Sequence, residues 1–228
     1  MTPLEIDSAL NAAEVQIAVG DTPQLRGTGF WPAVRAVKSD PELIEQFADR
    51  IATIDRAAFN AWARIVIPIW IGTALAIIGV LVGVSIISAS AVVPQWSGIV
   101  FLAGTGVLIG TTHGLGHLVV GFIGGIRFYA WFIGAGRPQP GVKTDYGTYL
   151  RATPRARAWM HASGAIVTKA VPFLLIPVAM AISSVPPWTT WALLALGVVQ
   201  ILTDLLWSTK SSDWAKFRRE MAIHHYPT

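Results

Sequence analysis

Four apolar runs dominate the chain, at about 63–88, 97–124, 158–183 and 188–208. Each is near the length of about 20 residues with which a helix crosses a bilayer. In hydrocarbon every backbone N–H and C=O must find a partner inside the segment, so runs of this kind are read as transmembrane helices. The composition agrees: charged residues make up 13% of the 228, about half the usual share of a soluble domain, and the mean hydropathy is +0.54. The connections at 89–96 and 184–187 carry no charge. The Lys and Arg residues gather before the first run, in 125–157 and in the C-terminal tail, which places both termini and the long loop in the cytoplasm. The net charge of +4 and pI near 9.7 therefore point to basic membrane loops and not to a nucleic-acid partner. The absence of cysteine excludes disulfides and thiolate chemistry. No signal peptide is visible, because Glu5, Asp7 and Glu14 stand where a basic start and apolar core would be needed.

Residues 1–40 are mixed and polar, and no fold is assigned to them. Asp40-Pro41 reads as a helix start, with Asp as N-cap and Pro in the first turn. Ile44, Phe47, Ile51, Ile54 and Ala58 then form one apolar stripe, as in an amphipathic helix packed on the protein or lying on the membrane surface. Residues 1–62 thus read as a cytoplasmic N-terminal extension, and 63–88 as the first span. Between the second and third runs, Arg127 to Ile133 is rich in β-formers, Gly134 to Gly141 is turn-like, and Val142 to Leu150 alternates. That pattern predicts an interfacial β-hairpin, either with an edge open to an extended peptide or as an ordered loop capping the bundle.

His113 and His117 stand four apart within the second run, Thr111-Thr112-His113-Gly114-Leu115-Gly116-His117. On a helix they share a face, and two imidazoles at that spacing can hold one metal ion. They can equally hydrogen-bond across a tight helix seam, since Gly106, Gly110 and Gly114 recur every four residues beside them. Two further ionisable groups lie within the runs: Lys169 in the third and Asp204 in the fourth. Charges inside a membrane are costly and mark sites, so the four groups are expected to meet in one cytoplasm-facing pocket, with Lys169 beside Asp204 when no metal is bound.

In this order and spacing, the chain from about 97 to 210 resembles the site-2 protease family of intramembrane zinc metalloproteases. The matching positions are His113 and His117 for the HExxH helix, the 126–150 hairpin, Gly164 to Thr168 for a Gly-containing stretch on the next helix, and Asp204 for an Asp on the last. The resemblance implies an all-α polytopic membrane protein of four transmembrane helices. Its core would be three site-2-protease-like helices at 97–210 with an interfacial β-hairpin, followed by a cytoplasmic tail at 211–228. It also implies a zinc site formed by His113, His117 and Asp204. Three departures stand out: Gly114 replaces the Glu that activates water in the family, Thr168 stands where Asn is usual, and Leu205 follows Asp204 in place of Gly. The implied function is a metalloprotease-like pseudoenzyme, non-proteolytic or weakly active, that binds transmembrane peptides or other membrane subunits. An accessory subunit of a larger membrane complex is the alternative, and a histidine ligating haem or a pigment is the third.

Overall fold

The computed structural model describes residues 1–20, 25–135, 140–206 and 212–223. The chain divides into two compact units: Met1–Ile69 with Gly121–Arg157 and Arg219–Thr228, and Trp70–Val120 with Ala158–Arg218.

The first unit opens with α1 (Pro3–Ala18) and α2 (Phe30–Val37). No fold was expected here, yet α1 has a complete start. Thr2 Oγ1 accepts the Glu5 N–H at 3.3 Å, Glu5 accepts the Thr2 N–H at 2.7 Å, and Pro3 occupies the first turn. Ile6, Leu10 and Ala13 then fall on one buried face. Helix α3 (Pro41–Trp62) begins as the sequence predicts, with Asp40 Oδ1 accepting the N–H groups of Glu42 and Leu43 at 2.9 and 3.4 Å. Its stripe of Ile44, Phe47, Ile51, Ile54 and Ala58 is buried against Leu10, Phe30, Val34 and Leu150 in one core.

A three-stranded antiparallel sheet follows, with β1 (Ala63–Pro68), β2 (Phe128–Gly134) and β3 (Pro140–Thr144) in that order. This corrects two expectations. Residues 63–68 are not the start of the first span. Ile65, Val66 and Ile67 are β-branched, and they pair with Ile133, Phe132 and Trp131 of β2. The second hairpin strand also stops early, at Thr144. Asp145 accepts the Thr148 N–H at 3.0 Å and starts the short helix α6 (Tyr146–Arg151), which buries Tyr149 and Leu150.

Among the described residues, four helices are long and apolar enough to cross a membrane: α4 (Ile69–Ala89), α5 (Ser97–Ile123), α7 (Pro154–Ala181) and α8 (Trp188–Leu206). Residues 207 and 208 of the expected last span lie outside the described residues. Most of each helix is not buried against protein, and Trp70, Leu81, Leu174 and Leu205 are exposed. Such surfaces suit a lipid surround and a multi-pass membrane protein.

Within the second unit, α4 and α5 pack through small residues. A side chain at Gly83 would strike Leu108, and one at Gly104 would strike Ile87 and the Gly83 carbonyl. This seam is not the predicted one, because Gly106 and Gly110 face open space. α4 meets instead the neighbouring face of α5, which carries Gly104, Leu108 and Thr111. Beyond the last span the chain forms a further helix, α9 (Asp213–Met221).

Candidate metal centre

On α5, the four-residue spacing brings the two imidazoles together, with ring centres 4.7 Å apart and Nε2 atoms 3.2 Å apart. Gly116, between them in sequence, lets α5 lie close to α7: a Cβ there would come within 3.1 Å of the Ser163 carbonyl. On α7, Gly164 has a sharper role, since a Cβ there would collide with the His117 ring. The site thus depends on two glycines, one on each helix.

His117 is buried, and its Nδ1 lies 2.7 Å from the Met160 carbonyl oxygen. A carbonyl only accepts, so Nδ1 carries the proton and donates it. In a neutral ring this leaves Nε2 with a lone pair, and a metal-ligating histidine is held in this way by its other nitrogen.

The third member of the cluster is Asp213, in the first turn of α9. Its Oδ2 lies 3.4 Å from His113 Nε2 and 3.4 Å from His117 Nε2. Burial pushes the Asp213 carboxyl up. Its contacts with His117, Lys216 and His113 outweigh burial and hold it well below the usual carboxylate range. Lys216 Nζ also bonds the other oxygen, Oδ1, at 3.2 Å. Ser212 fixes the helix start, its Oγ accepting the Ala215 N–H at 3.2 Å.

His113, His117 and Asp213 form a cluster able to hold a metal ion. Zn–N bonds of about 2.0–2.1 Å at tetrahedral angles set neighbouring ligand atoms about 3.3–3.4 Å apart. The three separations here are 3.2, 3.4 and 3.4 Å, which is one face of such a tetrahedron. Among the described residues, no other His, Asp or Glu joins the cluster to supply the fourth corner.

The structure does not group Asp204 with these histidines. Asp204 is ion-paired with Lys169, as the depth of both groups leads one to expect, and Lys169 Nζ also donates to the Ala165 carbonyl at 3.3 Å. Thr168 bonds back to the Gly164 and Ala165 carbonyls of its own helix and takes no part in the site. Sequence reasoning missed Asp213 because it sought a carboxylate inside an apolar run, and Asp213 follows one. The signal was Ser212-Asp213 ahead of Trp214 and Phe217, a capped helix start with apolar residues three apart.

Comparison of the chain with protein-family models, with curated proteins and with solved structures finds no match.

Proposed function

We propose that this protein is a multi-pass membrane protein that binds one divalent metal ion, zinc by its ligand chemistry, through His113, His117 and Asp213. One observation carries the reading. With Nδ1 committed to Met160, the His117 lone pair faces a carboxylate oxygen at 3.4 Å and a second imidazole nitrogen at 3.2 Å. One N–H from His113 can serve only one of the contacts it makes, so His117 and Asp213 keep two lone pairs face to face. A cation at the centre satisfies all three atoms at once. Two nitrogens and one oxygen at these separations suit zinc. Their convergence on one point favours an ion over the flat face of a haem or pigment.

The metal role is non-proteolytic or weakly hydrolytic. Gly114 brings no carboxylate beside His113, and Asp213 as a ligand is not free to take a proton. Loss of a general base costs about 10²–10⁴ in rate. The likeness to site-2 proteases is proposed at this level only: a helix-borne histidine pair completed by an aspartate from a later segment, with the base absent. The ligands of that arrangement then differ from the expected set, with Asp213 in place of Asp204. Both termini are proposed to face the cytoplasm, on the distribution of Lys and Arg.

Metal analysis of protein purified in mild detergent and reloaded with zinc tests the reading. One equivalent is expected in the wild type, and none in His117→Ala. A protein that takes up no divalent ion, with its cluster held together by a proton on His117, overturns it.

A further inference from the structure

A second feature of the same unit is a cavity of about 470 Å³ lined by α7, α8 and α9. Its size lies within the range of about 300–1,000 Å³ usual for small-molecule sites. Ile166, Phe173, Ile201 and Leu205 make the walls almost wholly apolar. Phe173 is held in place by Gly197 of α8, where a Cβ would meet its ring at 2.6 Å.

Three charged groups line this cavity. Lys169 and Asp204 are ion-paired and cancel. Arg218 is exposed and has no ion-pair partner among the described residues, so the cavity carries a net charge of one positive unit. An apolar chamber in a membrane helix bundle, with a guanidinium at its edge that has no ion-pair partner among the described residues, matches one chemistry: a long acyl chain ending in an anion.

We propose that this cavity binds a single-chain anionic head on an acyl tail, with the carboxylate or phosphate at Arg218 and the chain along Phe173, Ile201 and Leu205. A planar guanidinium presents a fork of donors that fits either head. The proposal goes beyond the metal reading and does not depend on it, since the cavity residues and the metal cluster have no member in common.

The test uses the full chain after chelator treatment, so that its outcome is independent of any metal. Palmitate and hexadecanol are titrated into protein in neutral detergent, with binding read by native mass spectrometry. Palmitate is expected to bind about tenfold more tightly than hexadecanol, the value of one charge-assisted contact. Arg218→Gln should erase that difference and leave hexadecanol binding unchanged. Asp204→Asn should tighten palmitate by uncovering Lys169. Ala170→Trp should fill the chamber and abolish both ligands. Competition by lysophosphatidylglycerol but not lysophosphatidylcholine assigns the head to a single-chain membrane lipid, and its failure assigns it to a free fatty acid. The proposal is overturned if palmitate and hexadecanol bind alike, if Arg218→Gln changes nothing, or if folded Ala170→Trp binds both ligands as before.

Discussion

Each unit of the molecule gathers a cluster of ionisable groups, and the two are opposite in kind. In the first unit the centre is Glu220. Its oxygens accept from Lys38 Nζ at 2.5 Å, Tyr149 Oη at 2.8 Å and Arg157 Nε at 2.7 Å. Arg157 is fully buried and also donates to the Leu150 and Ala152 carbonyls at 2.9 and 2.8 Å. Every contact there pairs a donor with an acceptor. In the second unit His113, His117 and Asp213 turn acceptor atoms toward one another. Burial alone therefore does not mark a functional site. The Glu220 carboxylate is enclosed by donors, with only Arg157 Nη2 left without a partner among the described residues, whereas the two imidazoles and the Asp213 carboxylate present a gap that a cation fits.

The largest expected effect comes from breaking the enclosed cluster. Glu220→Gln leaves the buried Lys38 and Arg157 without their carboxylate, and removal of one partner from a buried pair costs about 3–5 kcal/mol. Thermal unfolding in detergent should show a large fall in midpoint, with zinc uptake per folded molecule unchanged. The pH dependence has a fixed sign. Burial raises the Glu220 carboxyl, but Lys38, Arg157 and the Tyr149 hydroxyl outweigh burial and hold it below its ordinary value of 4.5. Its stabilisation is thus present in full above about pH 4.5 and is lost as pH falls through the lowered value. A variant as stable as wild type at pH 7 would show that this cluster is not the clamp described.

The second effect sharpens the contrast from the other side. Zinc at 100 times its dissociation constant should stabilise the wild type by about 2.7 kcal/mol. Asp213→Asn should lose most of that gain, read as the zinc-induced shift of each protein from its own metal-free midpoint. Equal stabilisation of wild type and Asp213→Asn would sever Asp213 from the metal.

These two clusters were unequally legible in the sequence. The histidine pair was readable because helical spacing converts directly into a shared face. The helix from Asp40 was readable for the same reason, with its cap written beside its stripe. The capping box of Thr2 and Glu5 is equally plain, but the apolar residues of α1 are spread round the helix and form a weaker one-sided stripe than those of α3. Glu220 and Asp213 were hidden because their partners are distant in sequence: Lys38 is 182 positions from Glu220, and Asp213 reaches back to α5. The strand at 63–68 was absorbed into the first span, since β-branched apolar residues satisfy both a sheet and a hydropathy window. Only pairing with β2, a long-range event, separates them.

A third effect lies between the two clusters, in the packing that permits the open one. Gly164→Ala places a methyl group against the His117 ring and must push it from the Met160 carbonyl. Loss of such an orienting contact typically lowers metal affinity by about 10–100-fold. Gly110→Ala on α5 is the control, because a Cβ there meets nothing within 4 Å. Competition with a chromophoric chelator should find zinc weakened in the first variant only. Equal affinities would mean that α7 does not set the histidine geometry.

The smallest effect is expected where the resemblance to intramembrane proteases had placed a ligand. Asp204 is paired with Lys169, and its side chain is 35% exposed. Within a membrane span the attraction of such a pair is largely offset by the desolvation of its two charges, so the pair as a whole contributes little net stability. Replacing both partners with neutral residues, Lys169→Met with Asp204→Asn, leaves no stranded charge and should move the unfolding midpoint little. Zinc affinity in the double variant should change by less than about threefold, below the tenfold that 1.4 kcal/mol would give. Asp213→Asn measured alongside supplies the contrast, since the same chemical change nine positions later should remove binding. The reverse pattern, with zinc lost on replacing Asp204 and kept on replacing Asp213, would restore Asp204 as the third ligand. Asp213 would then join Glu220 as a group that serves the fold alone.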